Sequence, residues 1–293
     1  MPDTGLTSHV IEAICAWFDA NGRDLPWRRP GTSAWGVLVS EVMSQQTPMS
    51  RVIGPWHEWM NRWPTPDDLA EEDSGEAVAA WGRLGYPRRA LRLHSCAVTI
   101  ATEHVSKAAM ATYAAKHLVN EGDLVLLDSG TSTAALGRLL STRNDITILV
   151  GGLSVLQAVA EGTANVMVLG GALRQHSGSL LGPWASSNLR SITPDVAFIG
   201  CDAVSATDGL NCPLLESVEF KHEAMTRART SWILADPTKI LTTGSEPYWA
   251  SIPPRTGIVT VQSSNSELSE KLGAFRRSGH HVIQAPLQPA DTD

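Results

Sequence analysis

The sequence predicts two modules in series. An all-α module fills residues 1–105, and an α/β domain on a parallel sheet fills 106–284, with a loose tail at 285–293. Three observations carry this. Seven of the ten tryptophans (Trp17, Trp27, Trp35, Trp56, Trp59, Trp63, Trp81) fall in the first third. No lysine precedes Lys107. Beyond it, short unbroken apolar runs alternate with amphipathic stretches, the pattern of a parallel sheet covered on both faces. The 293 residues exceed one ordinary domain and suit two. With 43% hydrophobic and 18% charged residues, a disordered or collagen-like chain is excluded.

In the first module, His9 to Ala20 puts Val10, Ile14, Trp17 and Phe18 on one helical face, and Asn21-Gly22 stops it. Ala34 to Met43 reads as a second helix and Arg51 to Arg62 as a third, with Pro64 and Pro66 breaking the chain behind it. A short turn begins at Asp67. Ser74 is placed to cap another helix running to Arg83, which Gly85 and Pro87 end. Pro87 to Glu103 reads as the last helix.

In the second module, Lys107 to Asn120 is an amphipathic helix and Leu124 to Leu127 a strand. Helix Ser132–Leu140, strand Ile146–Val150, helix Leu153–Glu161 and strand Val166–Leu169 follow. Val196 to Ile199 and Trp232 to Leu234 are further strands, with the helix Glu216–Ala228 between them.

The net charge of −7 excludes nucleic-acid binding by bulk electrostatics, though not a local patch. No run approaches the roughly 18 apolar residues of a membrane span, and MPDTGLTSHVIEA lacks the build of a signal peptide. The expected address is cytoplasmic, with no membrane partner. Cys15, Cys96, Cys201 and Cys212 are scattered, so neither a zinc nor an iron–sulfur site is expected, and no metal or cofactor.

The densest chemistry of the first module is Val39 to Thr47 (VSEVMSQQT). Glu41 on an apolar helix would be partly desolvated and could hold a proton as general acid; a solvent-facing Glu is the plainer alternative. Gln45 and Gln46 can hydrogen-bond base edges. Residues 11 to 104 resemble the N-terminal part of the adenine DNA glycosylases of the helix-hairpin-helix superfamily. The matching segments are Leu25-Pro26-Trp27-Arg28, Ser40 to Thr47, Trp63-Pro64-Thr65 and Trp81 to Tyr86 followed by Arg88-Arg89-Ala90. The resemblance implies base excision repair of A opposite 8-oxoguanine, with Glu41 as the catalytic acid acting on a flipped adenine. It makes Gln45, Gln46 and Tyr86 duplex-wedging residues, with Arg28 and Arg88 as further DNA contacts. The family's hairpin, its stabilising aspartate and its four cluster cysteines have no counterpart after Glu103, so catalytic incompleteness and no 4Fe–4S cluster are expected.

In the second module, Leu126 to Ala134 (LLDSGTSTA) runs from strand through a small-residue turn into a helix. That presents hydroxyls and backbone N–H groups at a positive helix end, suited to phosphate; a plain capped turn is the alternative. Arg174, after Gly170-Gly171, can pair with an anion or sit on the surface. Further polar residues reach one sheet edge from DVAFIGCD at Asp195–Asp202, from Glu216–Lys221 and from ADPTK at Ala235–Lys239. From about Lys107 to Gln284 these motifs, with SGSLLG, resemble the C-terminal sensor domain of the DeoR family of transcriptional regulators. The resemblance implies a Rossmann-like, sugar-phosphate-isomerase-like α/β fold that binds a phosphorylated sugar. It assigns Asp128, Ser129, Gly130, Thr131, Ser132, Thr133, Gly171, Arg174 and Lys221 to the ligand, then Gly200, Asp202 and Lys239. Two departures stand out: Val150-Gly151-Gly152 occupies the place of the family's Thr-Asn-Ser, and the glycosylase-like module occupies that of the winged helix-turn-helix.

The leading expectation is therefore a fusion: a sugar-phosphate-sensing regulator domain behind a partial glycosylase module, working as a homo-oligomer, with DNA as a conditional partner. An adenine DNA glycosylase is the first alternative. A sugar-phosphate isomerase using Glu216, Lys221 or Asp202 is the second, on fold analogy. A truncated helical module should also expose apolar surface such as Trp56 and Trp59.

Overall fold

The computed structural model describes residues 8–241 and 243–287. The first seven residues of the signal-peptide reading, and 288–293 of the expected tail, lie outside them. Two compact units divide at Thr102/Glu103.

The first unit holds helices α1 (Ser8–Asn21), α2 (Ala34–Ser44), α3 (Met49–Arg62), α4 (Pro66–Ala70) and α5 (Ser74–Trp81), then the start of α6 (Arg88–His117). Its core is built on tryptophan. Trp59 is fully buried and meets Trp63 and Trp81 edge-on at 5.0 and 5.6 Å. Some buried indoles find carbonyls: Trp35 donates to Trp63 O and Trp56 to Gly36 O, whereas Trp59 Nε1 has no acceptor. Trp56 and Trp59 are thus interior, against expectation. Exposed apolar surface lies on α1 instead, where Val10, Ile14, Trp17 and Phe18 share a face as predicted but leave it uncovered, and at Val37, Leu38, Tyr86, Leu91 and Val98. Helix α5 begins at Ser74, yet its cap is Asp73, whose carboxylate accepts Gly75 N–H at 2.7 Å.

Where the sequence predicts two helices, α6 is one of 30 residues. No Gly or Pro interrupts it, and Lys107 pairs with Glu103 one turn back at 2.7 Å. The change in composition near residue 106 is not an element boundary.

The second unit contains β1 (Leu124–Leu127), α7 (Thr131–Leu140), β2 (Thr147–Val150), α8 (Leu153–Val159), β3 (Asn165–Val168), β4 (Ala172–Leu173), β5 (Leu180–Leu181), α9 (Pro183–Arg190) and β6 (Val196–Gly200). Then come β7 (Ala203–Ser205), β8 (Gly209–Cys212), α10 (Leu215–Arg227), β9 (Thr230–Leu234), β10 (Tyr248–Ala250), β11 (Thr256–Val261), α11 (Ser266–Arg277) and β12 (Val282–Ala285). Seven strands form one parallel sheet in the order β12-β11-β9-β6-β1-β2-β3. Alternate residues of the apolar strands fill opposite faces. Leu126, Ala197, Ile199 and Ile233 pack with Phe220, Leu272 and Phe275, while Val125, Leu127, Val196 and Phe198 pack with Met110, Leu136 and Val155. The predicted α/β domain with a doubly covered parallel sheet is therefore observed. Strands β11 and β12, helix α11, the antiparallel sheet β10-β8-β7 and the β4–β5 hairpin are additions to the elements expected from the sequence. Among the described residues no helix is long and apolar enough to cross a membrane.

Candidate functional site

The strand order reverses between β1 and β6. From β1 the chain proceeds outward to β2 and β3; from β6 it proceeds the other way to β9, β11 and β12. Ligands of open α/β sheets sit beyond the carboxyl ends of the strands at such a point. Here β1 delivers Asp128-Ser129-Gly130 and β6 delivers Gly200-Cys201-Asp202, tied by Asp128 N–H to Phe198 O at 3.0 Å. Gly130, at φ +137, turns the chain into α7, a conformation that favours glycine. The first N–H groups of α7 have no intrahelical partner and form its positive end.

A cavity of about 260 Å³ opens at this corner. Of the residues singled out in the sequence, Ser129, Gly130, Thr131, Ser132, Gly200, Asp202, Lys221 and Lys239 line it. Ser177, Ser179, Cys201, Pro213 and Ser217 line it as well, unforeseen. The two serines from the β4–β5 hairpin belong to the SGSLLG stretch, which was the available signal. Ser179 Oγ lies 2.5 Å from Ser129 Oγ, so the hairpin and the β1 turn share a hydrogen bond across the cavity wall.

Four expected ligand residues are placed otherwise. Asp128, 2% exposed, lies behind the wall. Its Oδ2 accepts from Lys221 Nζ at 2.5 Å and from Gly200 N at 3.2 Å, and its Oδ1 from Ser129 N at 2.7 Å. Lys221 also donates to Gly200 O at 2.6 Å. Burial works against the Lys221 ammonium, but the charge and hydrogen bond of Asp128 outweigh it and hold its pKa above the ordinary 10.5. Thr133 is wholly buried, its hydroxyl donating to Gly130 O at 3.1 Å. Gly171 serves packing: a Cβ there would lie 2.7 Å from Leu181 O. Arg174 is not among the lining residues. Its guanidinium is committed to the Glu216 carboxylate at the start of α10, which ties the hairpin bearing Ser177 and Ser179 to the helix bearing Ser217 and Lys221. Arg174 therefore positions the wall instead of offering its charge to the cavity.

With Lys221 paired to Asp128, Lys239 is the lining cation without an ion-pair partner among the described residues, and exposed Asp202 is the carboxylate among the lining residues. Hydroxyls, a helix N-terminus and one free ammonium suit a small, anionic, hydroxyl-rich ligand. Burial pushes the Cys201 thiol up to about 12 and the Cys212 thiol up to about 11, which disfavours the thiolate at both.

In the helical unit, Glu41 is exposed, not partly desolvated: the inward positions of α2 are Trp35, Gly36, Val39, Ser40 and Met43, and Glu41 falls outside that arc. Arg28, Gln45, Gln46, Tyr86 and Arg88 are also exposed. Gln46 (φ +54) and Tyr86 (φ +50) both hold backbone conformations that non-glycine residues rarely adopt. Their neighbour Arg89, 8% exposed, explains how. It donates to Val42 O at 3.0 Å, to Gln45 O, to Leu84 O at 3.2 Å and to Gly85 O at 3.1 Å, and sits over the Trp81 and Tyr86 rings. One buried guanidinium thus fixes both loops. The sequence reading placed Arg89 only within a matching motif, with no role of its own.

Residues 102–247 match the DeoR C terminal sensor domain. The chain is also 26% identical over 125 residues, 43% of its length and 50% of the relative's, to the Uncharacterized HTH-type transcriptional regulator FruR of Bacillus subtilis (strain 168). The N-terminal part is similar to curated adenine DNA glycosylases. That of Mycobacterium tuberculosis (strain CDC 1551 / Oshkosh) is 49% identical over 107 residues, 36% of this chain and 35% of the relative. That of Mycolicibacterium smegmatis is 58% identical over 91 residues, 31% of each. The chain thus spans about a third of the length of these glycosylases. Among solved structures, ribose 5-phosphate isomerase A from Methanocaldococcus jannaschii aligns at TM-score 0.36 and 18% identity, over 48% of this chain and 56% of that one. Gly151-Gly152, which depart from the sensor-domain pattern, have a packing cause. A Cβ on Gly152 would lie 2.4 Å from Ser129 Cβ, so a side chain there would press into the cavity wall.

Proposed function

We propose that the sensor domain binds a phosphorylated sugar in the cavity at β1 and β6, as the effector-binding part of a transcriptional regulator. The observation that carries this is one cavity joining the α7 N-terminus, the hydroxyls of Ser129, Thr131, Ser132 and Ser179, and the ammonium of Lys239, which has no ion pair among the described residues. Phosphate takes the N–H groups, hydroxyls and ammonium; Asp202 accepts from sugar hydroxyls. The likeness to FruR, itself named a transcriptional regulator, supports the reading. An isomerase reading is weaker, because Lys221 and Glu216 are committed to Asp128 and Arg174. Ribose 5-phosphate, glucose 6-phosphate and fructose 1-phosphate form the test panel. At 100 times Kd a bound sugar phosphate adds about 2.7 kcal/mol, a rise of several degrees in Tm. Lys239→Met and Ser129→Ala should abolish that rise. No rise with any of the three, or a rise unchanged in both variants, overturns the reading.

We further infer that the helical unit contacts duplex DNA without excising a base. The paired positive-φ residues Gln46 and Tyr86, exposed and braced by Arg89, favour a contact surface, since such strain concentrates at functional sites. Glu41 lies open to solvent, and the chain matches only a third of a glycosylase. A duplex carrying A opposite 8-oxoguanine should be retarded on a gel by the wild type and released by Tyr86→Ala, with no strand cleavage after alkali. Cleavage lost in Glu41→Gln would overturn the incompleteness, and no retardation would overturn the contact.

A further inference from the structure

The cavity at β1 and β6 accommodates one anionic group at the α7 N-terminus. A second cavity, of about 490 Å³, adjoins it, with Thr131 lining both. Helices α6, α7 and α8 build this second space within the same unit, and alanines form its floor, which leaves the volume open. Its polar lining is His104 and Lys107 from α6, Thr131 and Arg138 from α7, and Ser154 and Gln157 from α8, with no carboxylate among the described residues that line it. Lys107 is held by Glu103 at 2.7 Å. Arg138 is exposed, and its guanidinium has no hydrogen-bond or ion-pair partner among the described residues. Thr131 and Arg138 stand seven residues apart on one face of α7, about 10 Å along its axis. Helical side chains lean toward the N-terminus, which carries the Arg138 guanidinium back toward the shared wall. Donors and positive charge thus lie on both sides of Thr131, spaced along a single helix.

We propose that the effector is a sugar phosphorylated at both ends, one phosphate at the α7 N-terminus in the first cavity and the other on Arg138 in the second. This rests on the sugar-phosphate reading of the first cavity. Lys107 adds charge while remaining paired to Glu103, and Gln157 donates to the second phosphate or its bridging oxygen; the Ser154 hydroxyl donates to Gly130 O at 3.3 Å and accepts Gly130 N–H at 3.1 Å, which holds the shared wall. The alanine floor admits the group without displacing a side chain.

Calorimetric titration of the full chain separates the two readings. The probes are fructose 1-phosphate, fructose 6-phosphate, fructose 1,6-bisphosphate, ribose 5-phosphate, ribose 1,5-bisphosphate and inorganic phosphate. In at least one sugar series the bisphosphate should bind about tenfold more tightly than the monophosphates, the usual worth of a charge-assisted contact. Arg138→Ala and Arg138→Glu, at an exposed position, should reduce the bisphosphate to monophosphate affinity and leave monophosphate binding unchanged. A bisphosphate no tighter than the monophosphates, or an advantage that survives both variants, overturns the second subsite while the first reading stands. Inorganic phosphate binding as tightly as the bisphosphates also overturns it. Failure of every sugar to bind removes both readings.

Discussion

Asp128→Asn should destabilise the α/β unit by about 3–5 kcal/mol, lowering its Tm by on the order of 10 °C. The substitution keeps shape and a hydrogen-bonding oxygen but removes the charge facing Lys221, whose side chain is 13% exposed. A buried ammonium without its counter-ion is the costly outcome; a pair replaced as a whole is not, so Asp128→Leu with Lys221→Met should recover most of the loss. The pH dependence has a definite sign. Because the folded-state pKa of Lys221 is raised above 10.5, the pair's contribution is complete below that value and disappears as pH climbs through the folded-state value. Chemical denaturation of the wild type from pH 6 to 9 should therefore show no slope from this group, and stability should fall above about 10.5. A variant as stable as the wild type would mean that the pair is not desolvated. Binding of the proposed sugar phosphate should weaken as well, since Asp128 also anchors Ser129 N–H and Gly200 N–H at the mouth of the cavity.

That corner was readable from the chain because its chemistry is local: an apolar strand, a turn of small hydroxyl residues and a helix start occupy consecutive positions from Leu124 to Leu140. What was hidden depends on distant partners. Arg174 reads as a free anion binder until Glu216, 42 residues away, is found beside it. Arg88 and Arg89 are the same residue in sequence, and only the phase of α6 against Trp81 and the Gln45 loop buries one and exposes the other. Glu41 shows the converse error, since apolar neighbours along a helix do not bury a residue that faces away from them. The sheet β10-β8-β7 was missed because its strands are three or four residues long and β10 pairs across 36 or more residues of chain. Strand β11 and helix α11 are a different case. TGIVTV is an apolar run and Asn265 caps a periodic stretch, so both signals were present and unused.

Trp59→Ala should unfold the helical unit while leaving the α/β unit folded. A large aromatic truncated in a closed core costs about 3–5 kcal/mol, from lost transfer energy and the cavity left behind. Trp59 is fully buried and touches Trp63 and Trp81 edge-on, so the cavity would open at the junction of α3 and α5, with little side chain free to collapse into it. A unit of about 100 residues has few kcal/mol in reserve, and this loss is a large share of it. The Trp59 Nε1 is buried without an acceptor, so no hydrogen bond is lost with the ring, and the penalty is one of packing. Trp59→Phe, which keeps an aromatic edge in place, should cost less than half as much. Limited proteolysis of the full chain reads the outcome: rapid loss of the region before Thr102 with a resistant sensor fragment supports separate cores. The sensor domain's separate cores on β1, β6 and β9 contain no residue from α1–α5, which is why its melting transition should not move. Joint loss of both units in Trp59→Ala would show that their stabilities are coupled through α6, whose Ala90, Leu93 and Ala97 pack in one core and whose Met110, Ala111 and Ala114 pack in another.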